Sequence, residues 1–278
     1  MNFMIARAGK HLWEEPVLSG KRGSGTIFFS GCALKCVYCQ NYEISRGQKG
    51  FRVSADELVA LMLWLEREGA HNINLVTPSH YAKFLPDVLR RVKVSLRIPI
   101  VYNSGGYDKT EDIKNLEGLV DIYLPDFKYA NTVIAERYSG AADYFSVATD
   151  ALAEMRRQQP KDIFKNRLMQ NGVIVRHLIL PSLVADSFRV LSAIAEIDRT
   201  LYVSLMAQYF VSAGLNTTKF PELNRRITLQ EYDAVAEHFF KTGLRNGFTQ
   251  DLDSAVEAYV PDFDTEALKK LVDSLTKR

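Results

Sequence analysis

The sequence is short of cysteine, of net charge and of long apolar runs, and each shortage excludes a class of protein. Only three of its 278 residues are cysteine, all within positions 32–39. An odd, tightly clustered set cannot form a disulfide framework. Lys plus Arg (35) nearly balance Asp plus Glu (33), giving a net charge of +2, so nothing global directs the chain to nucleic acid or to an anionic membrane. No apolar run approaches the roughly 20 residues of a membrane span. Arg7, Lys10, Glu14 and Glu15 interrupt any apolar signal core at the N-terminus. A cytoplasmic address is the expectation that follows. Internal repeats, low-complexity tracts and Gly/Ser/Pro linkers are also missing, which leaves one large α/β domain or two small ones.

What is present is alternation. Short apolar runs at residues 26–30 (TIFFS), 72–77 (NINLVT), 98–103 (IPIVYN), 119–124 (LVDIYL), 173–180 (VIVRHLIL) and 201–208 (LYVSLMAQ) have strand length and strand composition. Amphipathic segments fill the gaps at 54–67, 87–94, 108–116, 141–157, 185–197 and 229–242. The first opens with the capping-box pair Ser54 and Glu57, and the last stops at Gly243. Six such units predict parallel β/α repeats with right-handed crossovers. They are too few for a closed eight-stranded barrel, so a partial (β/α)6 TIM-like barrel is expected, with its site at the C-terminal ends of the strands. Residues 1–24 read as an N-terminal extension, 25–250 as the core domain, and 251–278 as a tail that covers the barrel or contacts a partner.

Cys32, Cys36 and Cys39 follow the first expected strand directly. Free cysteines are commonly buried as small hydrophobes, but this loop is polar, with Lys35, Gln40 and Asn41. A redox pair of Cys36 and Cys39 leaves Cys32 without a role. A Cys3His zinc site, the core of a non-catalytic binding module, needs a fourth ligand. The five histidines are scattered, with no H-x₃₋₅-H pair. An iron–sulfur cluster fits the residues better: cubane clusters ordinarily take four thiolates, so three leave one iron open to a small molecule.

CxxxCxxC with Tyr38 before its last cysteine resembles the signature of the radical S-adenosylmethionine (SAM) superfamily. Longer strings, HLWEEP, SGKRGSGTIFFSGCALKCVYCQNYEIS, GAHNINLVTPSHY, PIVYNSGGYD, LEGLVDIYLPDFKY, VRHLILPS and SLMAQY, are similar to the PflX group, relatives of the pyruvate formate-lyase activating enzyme. The resemblance implies a barrel of the radical SAM type, with a 4Fe–4S cluster on Cys32, Cys36 and Cys39. It also implies SAM on the open iron and a 5′-deoxyadenosyl radical that abstracts hydrogen. The target it implies is a protein such as a glycyl-radical enzyme, with a small-molecule substrate as the alternative. An electron donor such as flavodoxin or ferredoxin would serve it. Longer members carry a cysteine-bearing segment ahead of HLWEEP, whose role is expected to be absent or dispensable here.

The same resemblance suggests SAM contacts at strand ends. Asp126-Phe127-Lys128 resembles the DLK segment in which the lysine meets the methionine moiety, and Arg176 occupies the place of a SAM-contacting arginine. A charge inside VIVRHLIL is costly unless paired or facing a polar cavity. Asn103 and Ser104 offer amide and hydroxyl groups beside Gly105 and Gly106, which permit close backbone approach. Gln208 closes the sixth strand with ribose or adenine contact as its expected role, and Tyr38 is placed beside the adenine. His80 stands where the superfamily has a glycine-rich segment, and His177 should face away from Arg176 and serve packing.

Overall fold

The computed structural model describes residues 1–47, 49–249 and 261–276. Its strands are β1 (Asn2–His11), β2 (Ser24–Phe29), β3 (Phe51–Ser54), β4 (Ile73–Val76), β5 (Ile100–Ser104), β6 (Ile122–Pro125), β7 (Ile163–Lys165), β8 (Leu168–Leu178), β9 (Tyr202–Met206) and β10 (Asn246–Thr249). The helices are α1 (Pro16–Ser19), α2 (Tyr42–Ser45), α3 (Ala55–Arg67), α4 (Leu85–Lys93), α5 (Thr110–Lys114), α6 (Thr132–Ser139), α7 (Tyr144–Gln158), α8 (Val184–Ile197), α9 (Leu229–Lys241) and α10 (Thr265–Thr276). Among the described residues, no helix is long and apolar enough to cross a membrane.

Parallel pairing runs β2-β4-β5-β6-β8-β9-β10, with β1 antiparallel on the outside of β2 and β3 antiparallel on β1. Among the described residues β3 and β10 end the sheet, which curves without closing. All six expected strands are present. The structure adds a seventh parallel strand, β10, and the antiparallel β1, β3 and β7. The single helix expected over 141–157 starts at Tyr144 and is preceded by α6, which ends on Gly140 in the left-handed region, φ 67°. The Ser54–Glu57 capping box closes in both directions at the head of α3.

Strand alternation sorts the residues between two faces. Ile27, Phe29, Leu75, Tyr102, Tyr123, Val175 and Val203 point outward and pack with Leu58, Leu61, Leu89, Met155, Val190 and Ile194 of the helices. Val101, Ile122 and Ile174 point inward and pack around Leu18 of α1. That helix lies across the starts of the parallel strands: Asn72 donates to the Leu18 carbonyl at 2.8 Å, and the Gly23 amide donates to the Ser19 carbonyl at 2.8 Å. The chain leaving β1 thus stoppers the base of the barrel.

The tail belongs to this core. Phe263 meets the inward ring of Phe28 edge-on, centroids 5.6 Å apart, while α10 packs on α3 and β1 and buries Leu268 and Val272. Residues 250–260, with Tyr259 and Val260, lie outside the described residues.

Candidate functional site

The loop after β2 carries Cys32, Cys36 and Cys39 as free, half-buried thiols. Backbone bonds pin it to its neighbours: Gly31 donates to Ile44 (2.8 Å), Lys35 to Ser139 (3.1 Å) and Val37 to Tyr138 (2.8 Å). His80 Nε2 lies 2.9 Å from the Ser30 carbonyl, so this residue fixes the start of the loop. A chain of hydroxyls runs from Tyr38 to Tyr129 (2.5 Å) and on to Ser139 (2.8 Å), whose Oγ donates to Cys36 Sγ at 3.0 Å. Tyr38 borders the cavity, but its ring packs edge-on between Tyr129 and Tyr209.

All three cysteines open into one cavity of about 830 Å³ inside the barrel, toward the upper end of the usual ~300–1,000 Å³ for small-molecule sites. Every residue singled out from the sequence as a cofactor contact lines it: Tyr38, Asn103, Ser104, Asp126, Lys128, Arg176 and Gln208. His80 and His177 do not.

An ion network holds the far wall. Asp126 takes Lys128 Nζ at 2.5 Å on one oxygen and Arg176 Nε at 2.8 Å on the other. Arg176 also donates to Asn103 Oδ1 at 2.6 Å and stands 3.6 Å from Glu14. Burial opposes charge on Lys128 and Arg176, yet Asp126, joined by Cys36 at Lys128 and by Glu15 and Glu14 at Arg176, holds both above their ordinary values. Burial likewise works against the Asp126 carboxylate, but Arg176 and Lys128 prevail and hold it below its ordinary value.

Two neighbours shape this wall. Gly106 has φ 78°, and a Cβ there would collide with the Asp126 carbonyl. Gly106→Ala is therefore expected to destabilise the fold by about 1–3 kcal/mol, through strain and displacement of the Asp126 backbone. Thermal unfolding measures it; an unchanged midpoint would contradict the close approach. Ser104 gives its hydroxyl to Asp108 at 2.5 Å, in a buried set with Tyr102, so much of its bonding capacity is spent within the wall. Opposite, Thr77 borders the cavity at φ 59°, an uncommon conformation for a β-branched residue.

His177 faces the other side of β8, as strand alternation requires, and its Nδ1 donates to the Phe127 carbonyl at 2.7 Å. Burial lowers its pKa to about 4. The folded value lies below the unfolded one of ~6.5. Its contribution to stability is therefore full above pH ~6.5 and is lost as pH falls toward 4, at most about 3 kcal/mol. Unfolding midpoints between pH 7 and 4 should flatten in His177→Gln; parallel curves for the two proteins would rule this histidine out as the source.

The donor set fits an iron–sulfur cluster. Burial, together with the neighbouring Cys36 and Cys39, pushes the Cys32 thiol up to about 12, and burial raises Cys36 against the pull of Lys128. Thiolates are thus costly here until a cationic partner arrives. Among the described residues no three His, Cys, Asp or Glu side chains converge on a single metal ion. A tetrahedral zinc site requires such convergence, whereas a cubane takes each thiolate on a different iron.

Glu14 and Glu15 are site residues that sequence reasoning missed. They read as charges breaking an N-terminal apolar run, yet both line the cavity. Their position within the HLWEEP string was the available signal.

The radical SAM superfamily profile matches residues 26–174. An uncharacterized protein of Methanocaldococcus jannaschii is 30% identical over 242 residues, which cover 82% of this chain and 64% of that one. Streptococcus suis SuiB bound to precursor peptide SuiA has a similar fold, with TM-score 0.55 at 10% identity over 81% of this chain and 48% of SuiB. SuiB bound to S-adenosylmethionine gives 0.54 at 11% over 81% and 50%. The chain therefore spans less than two thirds of the length of each.

Proposed function

The chain belongs to the radical SAM superfamily, and from that premise we propose that it abstracts hydrogen from a protein substrate such as a glycyl-radical enzyme, taking its electron from a flavodoxin or ferredoxin. The superfamily uses a 4Fe–4S cluster and SAM. Bound here, they would supply a 5′-deoxyadenosyl radical through reductive cleavage of the SAM carbon–sulfur bond. The observation carrying the proposal is that three thiols and the Asp126–Lys128–Arg176 network open into the same cavity.

Cys32, Cys36 and Cys39 would hold the cluster, with Ser139 orienting the Cys36 sulfur through its hydroxyl. Lys128 is positioned as the cation for the SAM carboxylate, because Asp126 keeps it protonated and aimed. Arg176 and Asn103 bind each other and present a donor-rich wall for the remaining polar groups. Gln208 would add a polar cofactor contact, while Tyr38 and Ser104, held by Tyr129 and Asp108, border the same cavity and would meet the cofactors only as part of its wall. The barrel wall would shield chemistry in the cavity from bulk water on the side of the sheet. A small-molecule substrate is the second reading. The depth of the cavity, which runs from the cysteine loop down to Ser19, favours it.

The test is anaerobic reconstitution followed by reduction with dithionite in the presence of SAM. We expect 5′-deoxyadenosine, a deuterium in it when the true substrate is deuterated, and a glycyl radical by electron paramagnetic resonance when a glycyl-radical partner is supplied. Iron-loaded protein that forms no 5′-deoxyadenosine would overturn the radical assignment. Deuterium transfer from a small molecule, with no radical on the partner, would move the assignment to the second reading.

A further inference from the structure

The base of the cavity carries buried polar groups beyond those assigned to the cofactors above. Glu14, Glu15 and Ser19 line it from the segment that stoppers the barrel, at the strand ends opposite the cysteine loop. Glu15 is 8% exposed and Ser19 2%, yet Glu15 Oε2 and Ser19 Oγ have no hydrogen-bond partner among the described residues. Asn74, fully buried beside Glu14, favours that carboxylate through its side-chain amide. Buried polar atoms are seldom left without a partner, since each costs about 1–3 kcal/mol.

Charge is unbalanced as well. Asp126 uses both Lys128 and Arg176 at hydrogen-bond distance, and Glu14 has only a share of Arg176 at 3.6 Å. Three carboxyl groups thus share two cations, with Arg176 divided among Asp126, Glu15 and Glu14, and of the three only Glu15 keeps an oxygen without a hydrogen-bond partner among the described residues. Glu14 registers the deficit: burial first, then Glu15, pushes it up to about 7 despite Arg176. Trp13 and Phe248 add aromatic faces to the same cavity, which also suit a cation. A metal ion is not the occupant that fits, because no three acidic, cysteine or histidine side chains converge on one point among the described residues.

We infer that the base of the barrel is a subsite for a primary ammonium group carried by the substrate, with Glu15 as its charge partner and Ser19 as a hydrogen-bond acceptor. This deepens the radical SAM reading and rests on it. The ammonium anchors one end of the substrate at the stopper and leaves the other end toward the cysteine loop. A free alkylamine and a lysine side chain share this chemistry.

The experiment titrates the reconstituted protein, with SAM present, by calorimetry. The probes are n-butylammonium and N-acetyl-lysine methylamide, with 1-butanol as the neutral analogue. Both cations should bind at least ~10-fold more tightly than 1-butanol, as expected for a charge-assisted contact; the tighter of the two identifies the source. Glu15→Gln should weaken the cation ~10-fold and leave 1-butanol unchanged, and Ser19→Ala should weaken it several-fold. Equal affinity for n-butylammonium and 1-butanol in the unsubstituted protein overturns the subsite, whatever the variants do. Dithionite-driven 5′-deoxyadenosine formation is scored separately on the unsubstituted protein. Ammonium binding without it would sink the radical reading alone, and radical chemistry without ammonium selectivity would sink the subsite alone.

Discussion

Cys36→Ala will emerge from anaerobic reconstitution folded, nearly iron-free, and unable to form 5′-deoxyadenosine above background. The fold survives because the change removes one half-buried sulfur and one hydrogen bond from Ser139, a loss of about 1 kcal/mol. Cluster retention does not survive, because two thiolates hold a cubane poorly. Cys32→Ala and Cys39→Ala should fail equally, and this equality separates the cluster from a redox pair. A pair made of Cys36 and Cys39 would tolerate loss of Cys32. Iron and sulfide analysis beside 5′-deoxyadenosine yield provides the readout. Any of the three variants with full iron and full cleavage would refute the assignment.

The second large effect is on stability. Asp126→Ala leaves Lys128 and Arg176, each with only 16% of its side chain exposed, without their shared carboxylate. Removing one partner of a buried ion pair costs ~3–5 kcal/mol, and partial access from the cavity places this case near 3. That corresponds to a melting temperature lower by roughly 6–12 °C. The pH dependence identifies the cause. Asp126 has its folded pKa below its unfolded value, so its contribution is present above pH ~4 and is lost as pH falls through the folded value. The variant should therefore lose part of the acid slope seen in the unsubstituted protein. A melting temperature within a degree or two of it at pH 7 would show that solvent in the cavity already screens the network.

The elements legible in the sequence share a physical character. β2, β4, β5, β6, β8 and β9 lie in the sheet interior, so their residues are apolar on both faces and stand out as runs. β1 escapes notice because Arg7 and Lys10 interrupt it in its second half, beyond the reach of β3, where part of the pleat reaches water. β10, with sequence NGFT, is a strand by its pairing with β9 and not by its composition. α6 was hidden by its short polar sequence, TVIAERYS, which gains its stability from the Asn131 cap and the burial of Ala135 and Tyr138. At the site, the cysteines are visible because clustering is itself a signal, and Arg176 because charge in an apolar strand requires an explanation. Glu14 and Glu15 carry neither mark. Their meaning depends on α1 turning under the barrel, which no local pattern encodes.

The joining of the first strand to the last helix also has a consequence for biosynthesis. α10 covers β1 and α3, and Phe263 closes on Phe28, so β1 waits for this distant, later-made segment before its apolar side is sealed. At about 5–20 residues per second, a nascent chain stays partly unshielded for many seconds, and its thiols emerge on the ribosome long before the wall that encloses them. Metal loading in the cell should therefore follow synthesis and docking of α10.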